Sequence, residues 1–203
     1  ILLYVNTVNY DFLKDDYRLI VENPRIKTFD GFIGSIGSKF FSFPDFPYLH
    51  YWRPMTLLTF HADYRLWGLK PAGYHFTNIL INALNAVLIF FILFQVTSKL
   101  HYGFFGALFF SLHPCHVEAA AWISGRTDLL GALLIFCAIF NLLKFLQKTD
   151  RRILYYSLAM LFFILALLAK ENSVLFPLFV VALVFTVPNH LQGTGKKLLF
   201  TLP

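Results

Sequence analysis

Charge is scarce in this chain: only 14% of its 203 residues are Asp, Glu, Lys or Arg, where a soluble domain carries roughly 25%. That deficit excludes an ordinary water-exposed surface. Cysteine is scarcer still. The two present, Cys115 and Cys137, lie far apart in unlike settings, which excludes a disulfide framework and a thiolate zinc cluster. No continuous basic stripe runs along any segment, so the net charge of +6 is not a nucleic-acid footprint. The charged start, short apolar core and cleavage site of a signal peptide are also missing.

What is present is oily. Hydrophobic residues make up 58% and aromatic residues 19%, with 25 Phe and 10 Tyr, a load that suits lipid-facing helices with interfacial anchors. We therefore expect an all-α integral membrane protein. Residues 1–8 read as the end of a first transmembrane helix, too short by themselves to cross ~30 Å of hydrocarbon. Residues 9–74 read as a long loop bearing interfacial helices. One spans 29–41, despite three glycines, and a second runs from Arg53-Pro54 to Trp67-Gly68; a short helix that stops at Asn23-Pro24 precedes them.

Residues 74–97, 102–122, 128–147, 153–169 and 174–187 read as transmembrane helices, and 198–203 as the start of a further one. Proline should kink or end the second of these at His113-Pro114, and Pro177 falls inside the last. With no initiator Met at Ile1 and an apolar end, the chain reads as the N-terminal part of one larger membrane domain.

The short connections give an orientation. Lys99, Lys144, Lys148, Arg151, Arg152, Lys196 and Lys197 fall on one set, while the opposite set carries only Arg126 and Lys170, outnumbered by acids. The Lys/Arg bias puts the first set in the cytoplasm. The loop 9–74, the stretch 113–128 and Lys170-Glu171 then share the extracytoplasmic face. Ionisable groups at membrane depth cost ~2.5–3.5 kcal/mol each on insertion scales, so such convergence marks a candidate site.

Each group has a functional reading and a plain one. Asp15 and Asp16 offer a general base near the membrane surface, or a helix N-cap. His113, His116 and Glu118 suggest a metal site at first sight, but zinc helices space their histidines four apart with the Glu between. They read better as the lining of a polar vestibule, or as mutually satisfied neighbours. Arg126 offers a planar fork for phosphate, or pairs with Asp128 or Glu118. Lys170 and Glu171 form a phosphate clamp or an internal pair. Arg53 is an anchor or a ligand, and His75 is interfacial or lines the site.

Taken in order, Asp15-Asp16, Trp52-Arg53-Pro54, Gly73-Tyr74-His75, His113-Pro114-x-His116-x-Glu118, Gly125-Arg126-x-Asp128-Leu129-Leu130 and Lys170-Glu171 resemble one family. It is the membrane domain of the transmembrane and tetratricopeptide-repeat-containing O-mannosyltransferases, within the glycosyltransferase C superfamily. The resemblance runs from near residue 10 to about residue 177. It implies a multi-helix bundle, a catalytic acid in the first extracytoplasmic loop, a polyprenyl- or dolichyl-phosphate mannose donor, and a protein Ser or Thr acceptor.

By position, the catalytic acid falls on Asp15 or Asp16, and the family's His/Glu and Arg/Asp positions on His113, His116, Glu118, Arg126 and Asp128. With Arg53, His75, Lys170 and Glu171 from the local reading, these are the expected substrate and phosphate contacts. No cofactor is obligatory, and a divalent metal stays open. The implied location is multi-pass: the endoplasmic reticulum membrane in a eukaryote, the cytoplasmic membrane in a prokaryote. The family's tetratricopeptide repeats do not occur within this sequence. Two other readings compete. Asn78, Asn82 and Asn85 on one helix face, with prolines at 114 and 177, suit a transporter or flippase for lipid-linked or anionic solutes. A non-catalytic membrane scaffold is the third.

Overall fold

A computed structural model describes residues 2–36, 52–147 and 150–186. Among these the architecture is all-helical, without a strand. Leu2–Asn9 is a 3-10 helix rather than the end of an α-helix. Its sequence carries β-branched Val5, Thr7 and Val8, which crowd an α-helical turn, and the Thr7 hydroxyl donates back to the Tyr4 carbonyl at 2.7 Å. A π-helical turn over Tyr17–Val21 and a 3-10 turn over Pro24–Ile26 follow. Helix α1 spans Phe29–Ile36; the rest of the segment expected to 41 lies outside the described residues, as do residues 198–203.

Helix α2, Pro54–Trp67, opens on a proline whose missing N–H costs nothing at a first turn. It closes at Gly68, whose φ of 62° a side chain would resist. Phe12, Leu19, Ile20, Ile26, Phe32, Leu57 and Phe60 pack with Tyr74 and Ile123 into one apolar cluster. The expected loop is thus, in its described parts, a folded cap with its own core.

Helix α3, Pro71–Thr97, turns at Ser98 into α4, Leu100–Leu112. The two approach closely: a Cβ on Gly103 would sit 2.8 Å from the Phe90 carbonyl oxygen. Helix α4 ends just before His113-Pro114, so the stretch expected as one span over 102–122 is divided. It continues as a 3-10 turn at Pro114–His116, helix α5 at Val117–Ala121 and a 3-10 turn at Ile123–Gly125. Helix α6, Arg126–Leu146, then packs against α3 and against α7, Arg152–Leu167. A 3-10 turn, Glu171–Leu175, leads into α8, Phe176–Thr186, with Pro177 at its second position. That proline starts a helix rather than kinking one.

Helix α3 and the segment Ile123–Leu146 are long and apolar enough to cross a membrane. The 27 residues of α3 rise about 40 Å. The helix is inside out: Phe76, Leu80, Leu84, Val87, Phe91 and Phe94 form an exposed stripe at intervals of three and four, while Asn78, Asn82 and Asn85 are buried. Water would expel such a stripe and lipid accepts it, so the protein is membrane-associated. Helices α4 and α7, at 13 and 16 residues, reach about 20 and 24 Å, less than their expected spans.

The beginnings of α3 and α6 and the ends of α4 and α7 meet at one end of the bundle. The Asn78 amide donates to the Trp122 carbonyl at 3.0 Å, and the Met55 N–H to the Leu168 carbonyl at 3.1 Å. The cap sits at that end.

Candidate active site

Between cap and helix ends lies a cavity of about 520 Å³. The first loop contributes Asp15, and the entry to α2 contributes Arg53, Thr56 and Phe60. The broken stretch after α4 adds His116, Glu118 and Trp122; the start of α6 adds Thr127 and Asp128; Lys170 closes the ring. Six of the eleven residues expected at a site therefore line one cavity: Asp15, Arg53, His116, Glu118, Asp128 and Lys170. Asp16, His75, His113, Arg126 and Glu171 do not.

The adjacent acids of the first loop separate. Asp15 lines the cavity and has no ion-pair partner among the described residues. Asp16 is 1% exposed. It precedes the Tyr17–Val21 turn but makes no side-chain cap bond to it. One carboxylate oxygen accepts the Leu13 N–H at 2.9 Å; the other accepts the Ser124 N–H at 2.9 Å and the Ser124 hydroxyl. Burial pushes the Asp16 carboxyl above the ordinary range, and the bonds from Ser124 and Leu13 oppose that rise.

Arg126 is the main correction of position. The sequence suggested a fork for phosphate, or a partner for Asp128 or Glu118. It is instead 0% exposed and paired at 2.5 Å with Asp63. Its Nε donates to Asn78 Oδ1 at 2.7 Å, another N–H donates to the Tyr74 carbonyl at 2.8 Å, and the guanidinium lies 4.6 Å from the Phe60 ring centre. Asp63 also accepts from the Thr77 hydroxyl at 2.8 Å. Burial raises the Asp63 carboxyl, and Arg126 and Thr77 pull it down. With its donors spent inside, Arg126 bolts α2, α3 and α6 together beneath the cavity.

The other charges pair crosswise. Arg53 grips Glu171 with Nε at 3.0 Å and a terminal nitrogen at 2.8 Å, while Lys170 reaches Asp128 on α6. Neither the Lys170–Glu171 nor the Arg126–Asp128 pairing forms. Burial would raise Glu171, but Arg53 and Lys170 hold its carboxyl below the usual range. The cavity's cations are thus shared with carboxylates, and Asp15 and Glu118 are its acids outside any ion pair among the described residues.

The histidines divide as well. His116 lies over Phe110, with ring centres 4.1 Å apart, and burial and the nearby His113 lower its basicity. His113 accepts the Cys115 N–H at 3.3 Å, capping the 3-10 turn. His75 is 2% exposed, edge-on to Tyr10. Among the described residues no group of three or more His, Cys, Asp or Glu is placed to hold a metal ion. Asp63 and Ser124 were not foreseen as site residues. The available signal for Asp63 was a carboxylate in an otherwise largely apolar helix; Ser124 gave none.

A helical, membrane-associated protein with a polar cavity beneath a folded cap is the class that fold and cavity define. Comparison with curated proteins narrows it. The chain is 35% identical over 168 residues to human protein O-mannosyl-transferase TMTC4, covering 72% of this chain and 21% of that one. It is 32% identical over 163 residues to human protein O-mannosyl-transferase TMTC2 (74% and 18%). It is 29% identical over 176 residues to Drosophila melanogaster protein O-mannosyl-transferase Tmtc1 (85% and 20%). The chain spans about a fifth of the length of these relatives. No family model and no solved structure matches it. The chain is a homologue of the TMTC protein O-mannosyl-transferases, the family its motifs resemble.

Proposed function

We propose that the cavity transfers a sugar, mannose by family resemblance, from a polyprenyl- or dolichyl-phosphate donor to a Ser or Thr hydroxyl of a protein. The setting is the extracytoplasmic face of a multi-pass, glycosyltransferase C-type membrane domain. That face is the endoplasmic reticulum lumen in a eukaryote and the outer side of the cytoplasmic membrane in a prokaryote. One observation carries the reading: Asp15, a carboxylate without an ion-pair partner among the described residues, shares a cavity with Arg53 and Lys170 at the end of membrane-length helices.

In this reading the acceptor hydroxyl gives its proton to Asp15 as its oxygen attacks the anomeric carbon. The bond from that carbon to the phosphate oxygen breaks, and its electron pair leaves on the lipid phosphate. Lys170 and Arg53 stabilise the charge that develops there. His116 and Glu118, which line the cavity with Trp122, bond sugar hydroxyls in this reading. Asp128 and Glu171 hold the two cations, and Asp16, His75, His113 and Arg126 support the walls.

The transport reading loses its motive. Asn78 and Asn85 donate to backbone carbonyls of Trp122, Ile123 and Leu129, so they lock helices together. The charges gather at one end of the bundle, where a transporter would place them near its middle. The test is to incubate purified full-length protein in liposomes with polyprenyl-phosphate mannose and a Ser/Thr-rich peptide. A peptide heavier by one hexose is expected. Lipid-linked sugar crossing the bilayer with no modified peptide overturns the reading.

A further inference from the structure

We infer that Ser124 is a positioning residue for the proposed transfer: through Asp16 it fixes Asp15 against the opposite cavity wall. The inference rests on the glycosyl-transfer reading and adds a residue to it. The chain arrives at Asp15 through Lys14, whose φ of 45° is a left-handed conformation that a lysine resists. Something must hold it there. The Asp16 N–H donates to the Leu13 carbonyl at 2.8 Å, and the Asp16 carboxylate accepts the Leu13 N–H at 2.9 Å. The turn is therefore closed by both backbone and side chain of one residue.

The second oxygen of Asp16 leaves the turn and reaches Ser124, 108 positions on. It takes both the N–H and the hydroxyl of that serine. Ser124 is itself fixed. It precedes Gly125, where a Cβ would lie 2.8 Å from the Cα and carbonyl oxygen of Ala119 and 3.0 Å from the Glu118 carbonyl oxygen. The wall that carries Glu118 and the wall that carries Thr127 and Asp128 are thus clamped together at this point. One buried carboxylate ties the first loop to that clamp.

Bonds to a buried charge are directional and strong, so the tie sets where Asp15 stands and not merely whether the loop folds. A base displaced by about 1 Å loses on the order of a hundred-fold in rate. The Ser124 hydroxyl supplies one of the three bonds to Asp16 and is the one a substitution can remove cleanly.

The test is steady-state transfer by full-length Ser124→Ala, Ser124→Thr and Ser124→Cys proteins, with Asp15→Asn alongside. Ser124→Ala should lose about ten- to a hundred-fold in kcat with the donor KM unchanged. Ser124→Thr, which keeps the hydroxyl, should recover most of the loss. The near-isosteric Ser124→Cys falls between them and carries the same test where the alanine protein does not accumulate. Wild-type kcat in Ser124→Ala or Ser124→Cys, an equal loss in the threonine protein, or a loss seen only in KM overturns the inference. Full activity in Asp15→Asn instead overturns the transfer reading beneath it.

Discussion

Arg126 shows what one residue reveals before and after folding. An arginine at the head of an apolar helix, near a glycine and an aspartate, has the chemistry of a phosphate ligand. Folding spends that chemistry on Asp63, Asn78 and Tyr74. Asp63 stands out in sequence only as a carboxylate in α2; nothing local announces Arg126 as its partner, because the pair is closed by the packing of α2 on α3 and α6. Asp15 and Asp16 teach the same lesson at smaller range. They are adjacent residues of one type, yet Asp16 is buried and bonded to Ser124 while Asp15 stands in the cavity. Removing one partner of a buried pair strands the other's charge, so Arg126→Leu should destabilise the protein by about 3–5 kcal/mol. The double change Arg126→Leu with Asp63→Leu should recover most of that. Denaturation in detergent measures both; a double variant no more stable than the single contradicts the pairing.

Among the elements, boundaries were legible where their cause is local. Pro54 opens α2, Gly68 closes it, and Pro114 stands just past the end of α4. Helix lengths were less legible. The span expected over 102–122 includes residues 113–122, but the helix does not run through them once proline has withdrawn a donor. Nor does spacing show that Lys170 and Glu171, adjacent and opposite in sign, pair with different elements. Together they form a two-armed clasp, one arm on α6 through Asp128 and one on the entry to α2 through Arg53.

Both acids are about half exposed, so Asp128→Asn or Glu171→Gln should cost less than ~1 kcal/mol of stability. Asp128→Asn also takes the carboxylate away from Lys170, and binding of polyprenyl phosphate, measured by calorimetry, should tighten. Weaker binding contradicts the clasp. The Arg53–Glu171 arm also carries a pH signature. Glu171 has its carboxyl lowered in the fold, so its contribution is complete above the ordinary glutamate range and is lost as pH falls through the lowered value.

At the scale of the whole molecule, the membrane character was plain from composition, because lipid imposes its demand on every exposed turn. The inside-out face of α3 is that demand in atoms: phenylalanines and leucines outward, asparagines inward. The long loop was legible as polar-rich but not as a folded cap, since its core is assembled from short pieces that are individually unremarkable. Cap and bundle enclose a cavity to which the first loop, the helix breaks and the residue before Glu171 each contribute one side chain or a few. The central claim is that Asp15, standing in that cavity, takes the proton of the acceptor hydroxyl.

The most direct measurement is single-turnover transfer from polyprenyl-phosphate mannose to a Ser/Thr peptide by full-length Asp15→Asn protein, with donor binding measured on the same sample. The account predicts donor affinity within about two-fold of the unaltered protein, since Asp15 does not hold the phosphate, and a transfer rate lower by about 10²–10⁴-fold. Transfer at the unaltered rate with donor bound would contradict it.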